Sequence, residues 1–356
     1  MKLLNPGPVS VTEGVRQSLL QPDLCHREVE CEQLVGDIRY KLEHIYNSQG
    51  DAYRAILLTG SGTLAVESML ASCIGEHDNV LLIANGIYGY RMGDILKRHQ
   101  KNYQQLDFGL IGEINYDNVQ QILAQGQFTH VACVHHETTI GRLNNLTPLL
   151  ELCNQFNVKL LLDTVSSFGG EAIDFANPAI VAAAATANKC LHGYPGIAFV
   201  IIRETAIENL ENNCGSLYLD LFVHYKNQQY NKVAFTPAVQ ILYALQAALN
   251  ELEQQGGWRA RHQHYLTLST ALRQGFERAG ITLAIPKAHC ASMLSAFSLP
   301  SGIDFNQLHQ RYKDQGYVIY PGQLNLGATI FRIATMGELT LNDMETITSI
   351  GTMICT

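Results

Sequence analysis

Charge is scarce in this chain: Asp, Glu, Lys and Arg make up 16% of its 356 residues, against 47% hydrophobic. So sparsely charged a surface favours extra burial against a second copy of the chain, and a homodimer is expected. The 24 basic residues are outnumbered by 32 acidic ones, for a formal net charge of -8, and they nowhere cluster. That excludes a nucleic-acid partner gripped through its phosphates. No run approaches the roughly 20 apolar residues of a membrane span. Pro6 and Pro8 break the apolar start Met1-Lys2-Leu3-Leu4 too early for a signal peptide. A soluble, cytoplasmic protein without membrane contact is expected. The nine cysteines form no CxxC pair and no zinc-like grouping with histidine, so reduced thiols and no metal site are expected. Walker A and GxGxxG spacings are missing too.

What is present is an alternation of short apolar runs with longer periodic segments from about residue 56 to 202, the pattern of βαβ units around a mostly parallel sheet buried on both faces. Strands are predicted at Ala55-Ile56-Leu57-Leu58, Val80 to Ile83, His130 to Val134, Leu160 to Asp163, Ile180 to Ala183 and Ile197 to Ile201. Helices are predicted at Thr63 to Ile74, Tyr90 to His99 and Leu146 to Phe156. An amphipathic helix from Pro237 to about Gln255 stops at Gly256-Gly257, and a domain boundary is placed just beyond it. The remainder reads as a compact α+β unit with helices at Arg261 to Ala279, Phe305 to Gln315 and Leu341 to about Met353. Its short strands are predicted at Met293 to Ser298, Tyr317 to Tyr320 and Thr329 to Ala334.

Candidate chemistry collects where strands end. Gly60-Ser61-Gly62-Thr63 joins a strand to a helix and offers amides, hydroxyls and a positive helix end to a phosphate. Tyr88, in Asn85-Gly86-Ile87-Tyr88-Gly89, sits in a glycine-bounded loop suited to stacking on a ring, or to covering apolar surface. His135-His136-Glu137-Thr138-Thr139 follows the next strand. Adjacent residues on extended backbone point opposite ways, so this string does not clasp a metal. Asp163 closes the run Leu160-Leu161-Leu162, where an isolated carboxylate is expensive unless compensated; an ordinary turn or cap aspartate is the alternative. Lys189 follows 26 residues later in Thr186-Ala187-Asn188-Lys189-Cys190, away from any charge run. A desolvated lysine has the lowered pKa that an imine-forming amine requires. The pair suits a Schiff-base cofactor, with lysine on the aldehyde and aspartate on the ring nitrogen. Arg332, in the alternating strand Phe331-Arg332-Ile333, suits a bidentate grip on an anion or a structural salt bridge.

In this order, and together with Asn5-Pro6-Gly7-Pro8, Cys25-His26-Arg27-Glu28, Ser166-Ser167-Phe168-Gly169-Gly170 and Tyr320-Pro321-Gly322, these motifs resemble the class V aminotransferases, a branch of the fold-type-I pyridoxal-phosphate enzymes. The resemblance covers nearly the whole chain. It implies an α/β fold with a seven-stranded-type sheet: an N-terminal arm (1–20) that joins the small domain, a large cofactor domain (21–257) and a small C-terminal α+β domain (258–356). It implies pyridoxal 5′-phosphate held by Ser61, Gly62 and Thr63 at the phosphate and Tyr88 on the ring. Thr138 would lie near the phenolic oxygen, Asp163 at N1 and Lys189 in the Schiff base. Asn188 would steady the phosphate or the lysine loop, Thr236 would reach the phosphate of a neighbouring subunit, and Arg332 would bind substrate. The implied reaction is ping-pong transamination from 2-aminoethylphosphonate to pyruvate; alanine:glyoxylate and serine:pyruvate exchange use overlapping motifs and stay open. A fold that has lost turnover is a third reading, which intact Asp163 and Lys189 oppose. Two departures stand out. Ile140 replaces an expected small hydroxyl residue, with an effect expected in the substrate pocket, and Phe235-Thr236-Pro237 is one residue shorter than the family pattern. His26 and Arg27 line the substrate entrance or brace the arm.

Overall fold

The computed structural model describes residues 1–46 and 53–355. Its centre is a seven-stranded sheet built from β1 (Tyr53–Gly60), β2 (Val80–Ala84), β3 (Tyr103–Asp107), β4 (His130–Val134), β5 (Lys159–Asp163), β6 (Ile180–Thr186) and β7 (Gly196–Arg203). The order across the sheet is β1-β7-β6-β5-β4-β2-β3, parallel throughout except for β7, which runs antiparallel to both neighbours. All six predicted strands of this region are present. The seventh, β3, has the sequence Tyr-Gln-Gln-Leu-Asp on an edge, where solvent removes the need for an apolar run.

Burial on both faces follows from the alternation within each strand. Leu57, Ile83, Cys133, Leu162, Ala183 and Phe199 point into one core, and their neighbours Ile56, Leu82, Ala132, Leu161, Ala182 and Val200 point into another. Helices cover both faces, among them α1 (Val29–His44), α2 (Gly62–Cys73), α3 (Ile87–Arg98) and α4 (Val239–Gln254). Gly256, at φ +98°, ends α4 in the left-handed conformation, and α5 (Gly257–Arg278) starts at once.

A second, three-stranded antiparallel sheet orders β8 (Leu294–Ser298), β10 (Ile330–Ala334) and β9 (Tyr320–Pro321), with β10 in the middle. Its apolar layer includes Phe276, Phe297 and Phe331, with Phe276 edge-on to Phe297 at 4.7 Å between centroids. The predicted strand Tyr317 to Tyr320 divides: Tyr317–Val318 pairs in parallel with Lys2–Leu3, and Tyr320–Pro321 joins β10. The last helix, α6, spans Leu341–Cys355. Lys2 reaches its first turn and bonds Asp343 at 2.6 Å.

Candidate active site

Because β1, β2, β4, β5 and β6 are parallel, their C-terminal ends share one edge of the sheet, and the loops that leave them converge there. The candidate motifs of the large domain lie on these loops, except Cys25-His26-Arg27-Glu28, which precedes α1, and Thr236, which precedes α4.

Ser61 stands at the N-cap of α2, yet its side chain makes no capping bond to the helix. Its hydroxyl and the amides of Gly62 and Thr63, the first two helical residues, are available to an anion, while the Leu64 amide donates to Ser61 O at 2.9 Å. Gly62 is required here by space: a Cβ would lie 2.7 Å from Val165 Cγ1, so only glycine lets the helix start approach the loop after β5.

Asp163 is 6% exposed at the end of β5, and its Oδ1 accepts one bond, from the Val165 amide at 2.9 Å. Burial pushes the carboxyl up to about 6, against smaller opposing effects of that bond and of Arg91 and Lys189. The turn-aspartate reading is therefore also realised, but one amide bond does not offset the burial of a charge. Lys189 is partly buried, and desolvation pushes its amine down to about 8; Cys190 and Asp163 oppose the shift, and Arg332 and Arg91 reinforce it. Its Nζ donates a hydrogen bond to the carbonyl of Pro6. A protonated ring nitrogen and an aldehyde would resolve both penalties, so these residues fit a pyridoxal cofactor.

Tyr88 begins the first turn of α3 and packs against the guanidinium of Arg91, whose Cζ lies 4.7 Å from the ring centroid. Arg91 Nη1 also donates to Thr63 Oγ1 at 3.1 Å, joining the tyrosine loop to the glycine loop. Asn188 Oδ1 accepts from Thr186 Oγ1 at 2.9 Å, which steadies the lysine loop. Glu137 is fully buried and accepts from the amide and hydroxyl of Thr139, at 3.1 and 2.6 Å, and from the Gly89 amide at 3.3 Å. Burial still pushes it up to about 7.

Arg332, 2% exposed in the middle strand of the small sheet, donates Nε to Pro321 O at 2.9 Å and Nη1 to Thr138 O at 2.7 Å. It makes no ion pair among the described residues. The salt-bridge alternative finds no partner among the described residues, and the buried guanidinium is held by two carbonyls. Thr138 contributes its carbonyl to this arrangement.

Ile140 is fully buried among Ile285, Ala296 and Ile330, an apolar seam on the same face of the small sheet as Arg332, since Ala296 is Arg332's cross-strand partner and Ile330 lies two residues before it. Thr236 is exposed and lines a different surface pocket with His26, Arg27 and Lys232. Sequence reasoning missed Arg91 and the Pro6 carbonyl. Arg91 did carry a signal: a cation near the N-terminus of a helix opposes the macrodipole unless an anion is near. A backbone carbonyl carries none.

The Aminotransferase class-V family profile matches residues 18–323. The 2-aminoethylphosphonate–pyruvate transaminase of Aeromonas hydrophila is 37% identical over 347 residues, 95% of this chain and 90% of the relative. The enzyme of the same name from Vibrio cholerae is 35% identical, across 98% and 95%. Among solved structures, the subgroup IV aspartate aminotransferase of Thermus thermophilus superposes with a TM-score of 0.90 at 25% identity, covering 100% of this chain and 99% of its own.

Proposed function

The chain belongs to the class-V aminotransferases, and from that premise we propose that it transfers the amino group of 2-aminoethylphosphonate to pyruvate, giving phosphonoacetaldehyde and alanine. The observation that carries the chemistry is the pair of poorly compensated groups at one sheet edge, Asp163 and Lys189, with Arg332, which makes no ion pair among the described residues, facing the same region. The choice of donor rests on the relatives' names.

Pyridoxal 5′-phosphate, when bound, supplies the electron sink that lets a carbon-bound proton leave. Asp163 holds a proton on the ring nitrogen by staying ionised against it. Ser61, Gly62 and Thr63 bind the phosphate with the positive end of α2, Asn188 steadies the loop beside it, and Thr236 approaches from a second copy of the chain. Tyr88 would cover the ring, and Thr138 would bond near its phenolic oxygen. Lys189 would hold the cofactor's aldehyde; with its amine free, its lowered basicity suits it to take the proton from the nitrogen-bearing carbon and hold it as ammonium for the next transfer. Arg332 orients the phosphonate of the donor and the carboxylate of the acceptor.

The homodimer is supported by the exposed Thr236 and by low surface charge. The pairing of Lys2–Leu3 with Tyr317–Val318 supports an arm (1–20) that belongs with the small domain (258–356) and not with the large one (21–257). No described helix is long and apolar enough to cross a membrane. The eight described cysteines are unpaired thiols, which supports a reducing cytoplasm. Steady-state rates with 2-aminoethylphosphonate, alanine and serine as donors test the assignment. Preference for the phosphonate is expected, and a preference for either amino acid refutes it in favour of the corresponding exchange.

A further inference from the structure

We propose that the N-terminal turn Asn5-Pro6-Gly7-Pro8 is a wall of the active site, whose Pro6 carbonyl receives the ε-nitrogen of Lys189 when it is free of the cofactor and aims it during proton transfer. The inference rests on the reading of Lys189 as proton carrier.

Three observations meet at this turn. Lys189 Nζ donates to Pro6 O. A Cβ built on Gly7, at φ +128°, would lie 2.5 Å from both Cδ and Nζ of Lys189 and 2.6 Å from Cε, so the bare backbone runs along the end of the lysine. Asn5 is 2% exposed and closes the turn with a bond from Nδ2 to Pro8 O at 2.9 Å. Lysine and turn come from different parts of the fold. Lys189 hangs on the connection between β6 and β7. The turn is pinned to the small sheet: Leu4 donates to Val318 O at 2.8 Å, and Ala334 donates to Leu4 O at 2.6 Å. Ala334 lies two residues beyond Arg332 on β10, so the strand that grips the substrate's anion also fixes the carbonyl that receives the lysine.

The proton transfer draws on the electron sink that the bound cofactor would supply. The Lys189 amine keeps one N–H on Pro6 O and offers its lone pair to the proton on the substrate's nitrogen-bearing carbon. The C–H bond breaks, its electrons stay on the carbon side, and the nitrogen becomes an ammonium that retains the Pro6 bond while another N–H is delivered onward. A carbonyl acceptor gains from the positive charge, so it steadies the ammonium stage most.

The test uses Asn5→Ala, which opens the turn, and Gly7→Ala, which places a methyl against the lysine. In the holoenzyme, rates with 2-aminoethylphosphonate and with its form deuterated at the nitrogen-bearing carbon should show kcat down by about 10- to 100-fold, part of the roughly 10²–10⁴-fold that a positioned proton carrier supplies. The deuterium effect on kcat should rise, with donor KM nearly unchanged. In the apoprotein, acylation of Lys189 by an amine-reactive reagent, followed by mass spectrometry with exposed Lys226 as internal control, should quicken severalfold in Asn5→Ala. Wild-type acylation of Lys189 in Asn5→Ala, or a kcat loss without a larger deuterium effect in both variants, overturns the proposal. The acylation needs no substrate, so it still decides the matter if the wild-type protein does not turn over the phosphonate, an outcome that refutes the functional reading instead.

Discussion

Replacing Asp163 by asparagine should stabilise the apoprotein and weaken the holoprotein, with opposite signs from one residue. Burial raises the folded-state pKa of this carboxyl from its ordinary 3.8 to about 6. A raised acid pKa means that the folded state binds more protons than the unfolded chain between those values, so stability falls as pH climbs through the window and stays low above it. At about 1.36 kcal/mol per pH unit, the penalty is about 1.5 kcal/mol at pH 5 and about 3 kcal/mol at pH 8. Asparagine keeps the oxygen that accepts from Val165 and carries no charge to desolvate. Urea unfolding of both apoproteins at pH 5 and pH 8 should therefore favour Asp163→Asn at both, and more at pH 8. Glu137, which titrates nearby, is present in both proteins and largely cancels. With cofactor bound the order reverses, because the ring's proton loses its buried partner, and cofactor affinity should fall by about 3–5 kcal/mol. A variant less stable than wild type at pH 8, or a difference that does not grow with pH, refutes the account of Asp163 as an anion held ready for a cation.

Arg332→Lys cannot span the Pro321 and Thr138 carbonyls while presenting a planar fork, so kcat/KM for the donor should fall by about 2–5 kcal/mol in initial-rate assays. Ile140→Thr places a hydroxyl among Ile285, Ala296 and Ile330 and should cost about 1–3 kcal/mol in thermal unfolding. Cofactor capture by the apoprotein requires the free amine of Lys189, whose pKa is pushed down to about 8. Stopped-flow rates should rise roughly tenfold per pH unit below that value and level off above it, whereas an ordinary lysine would keep gaining up to its own higher pKa.

Most of the central sheet was legible because each inner strand is apolar on both sides, as in Val80–Ala84 or Ile180–Thr186. What escaped was structure that needs no such pattern: the polar edge strand Tyr103–Asp107, and the helix Val29–His44, whose narrow apolar stripe at Leu34, Val35, Ile38 and Leu42 is interrupted by the buried Arg39 and by Glu43, which accepts from the Ala55 amide. At the site, Asp163 and Lys189 were readable because charge at the end of a buried strand, or in an apolar loop, demands a reason. The seat of Ile140 was not, since a residue following a polar string shows nothing of the segment that will pack over it from 150 residues downstream. The Pro6 carbonyl was equally hidden, because main-chain atoms have no letter in the sequence.

Glu137 has a consequence for anyone redesigning this enzyme. Its carboxylate bonds the Gly89 amide of the tyrosine loop and both polar groups of Thr139, whose hydroxyl in turn accepts from the Ile87 amide at 3.0 Å. The loops after β2 and β4 are thereby stitched into one piece, and a graft that replaces either alone inherits a cut seam around a buried acid. Swapping the two as a cassette, with Glu137 and Thr139 carried along, is the modular unit for exchanging ring-side contacts. The small-domain strand that bears Arg332 meets this unit at the Thr138 carbonyl, so that bond has to survive an exchange of either one.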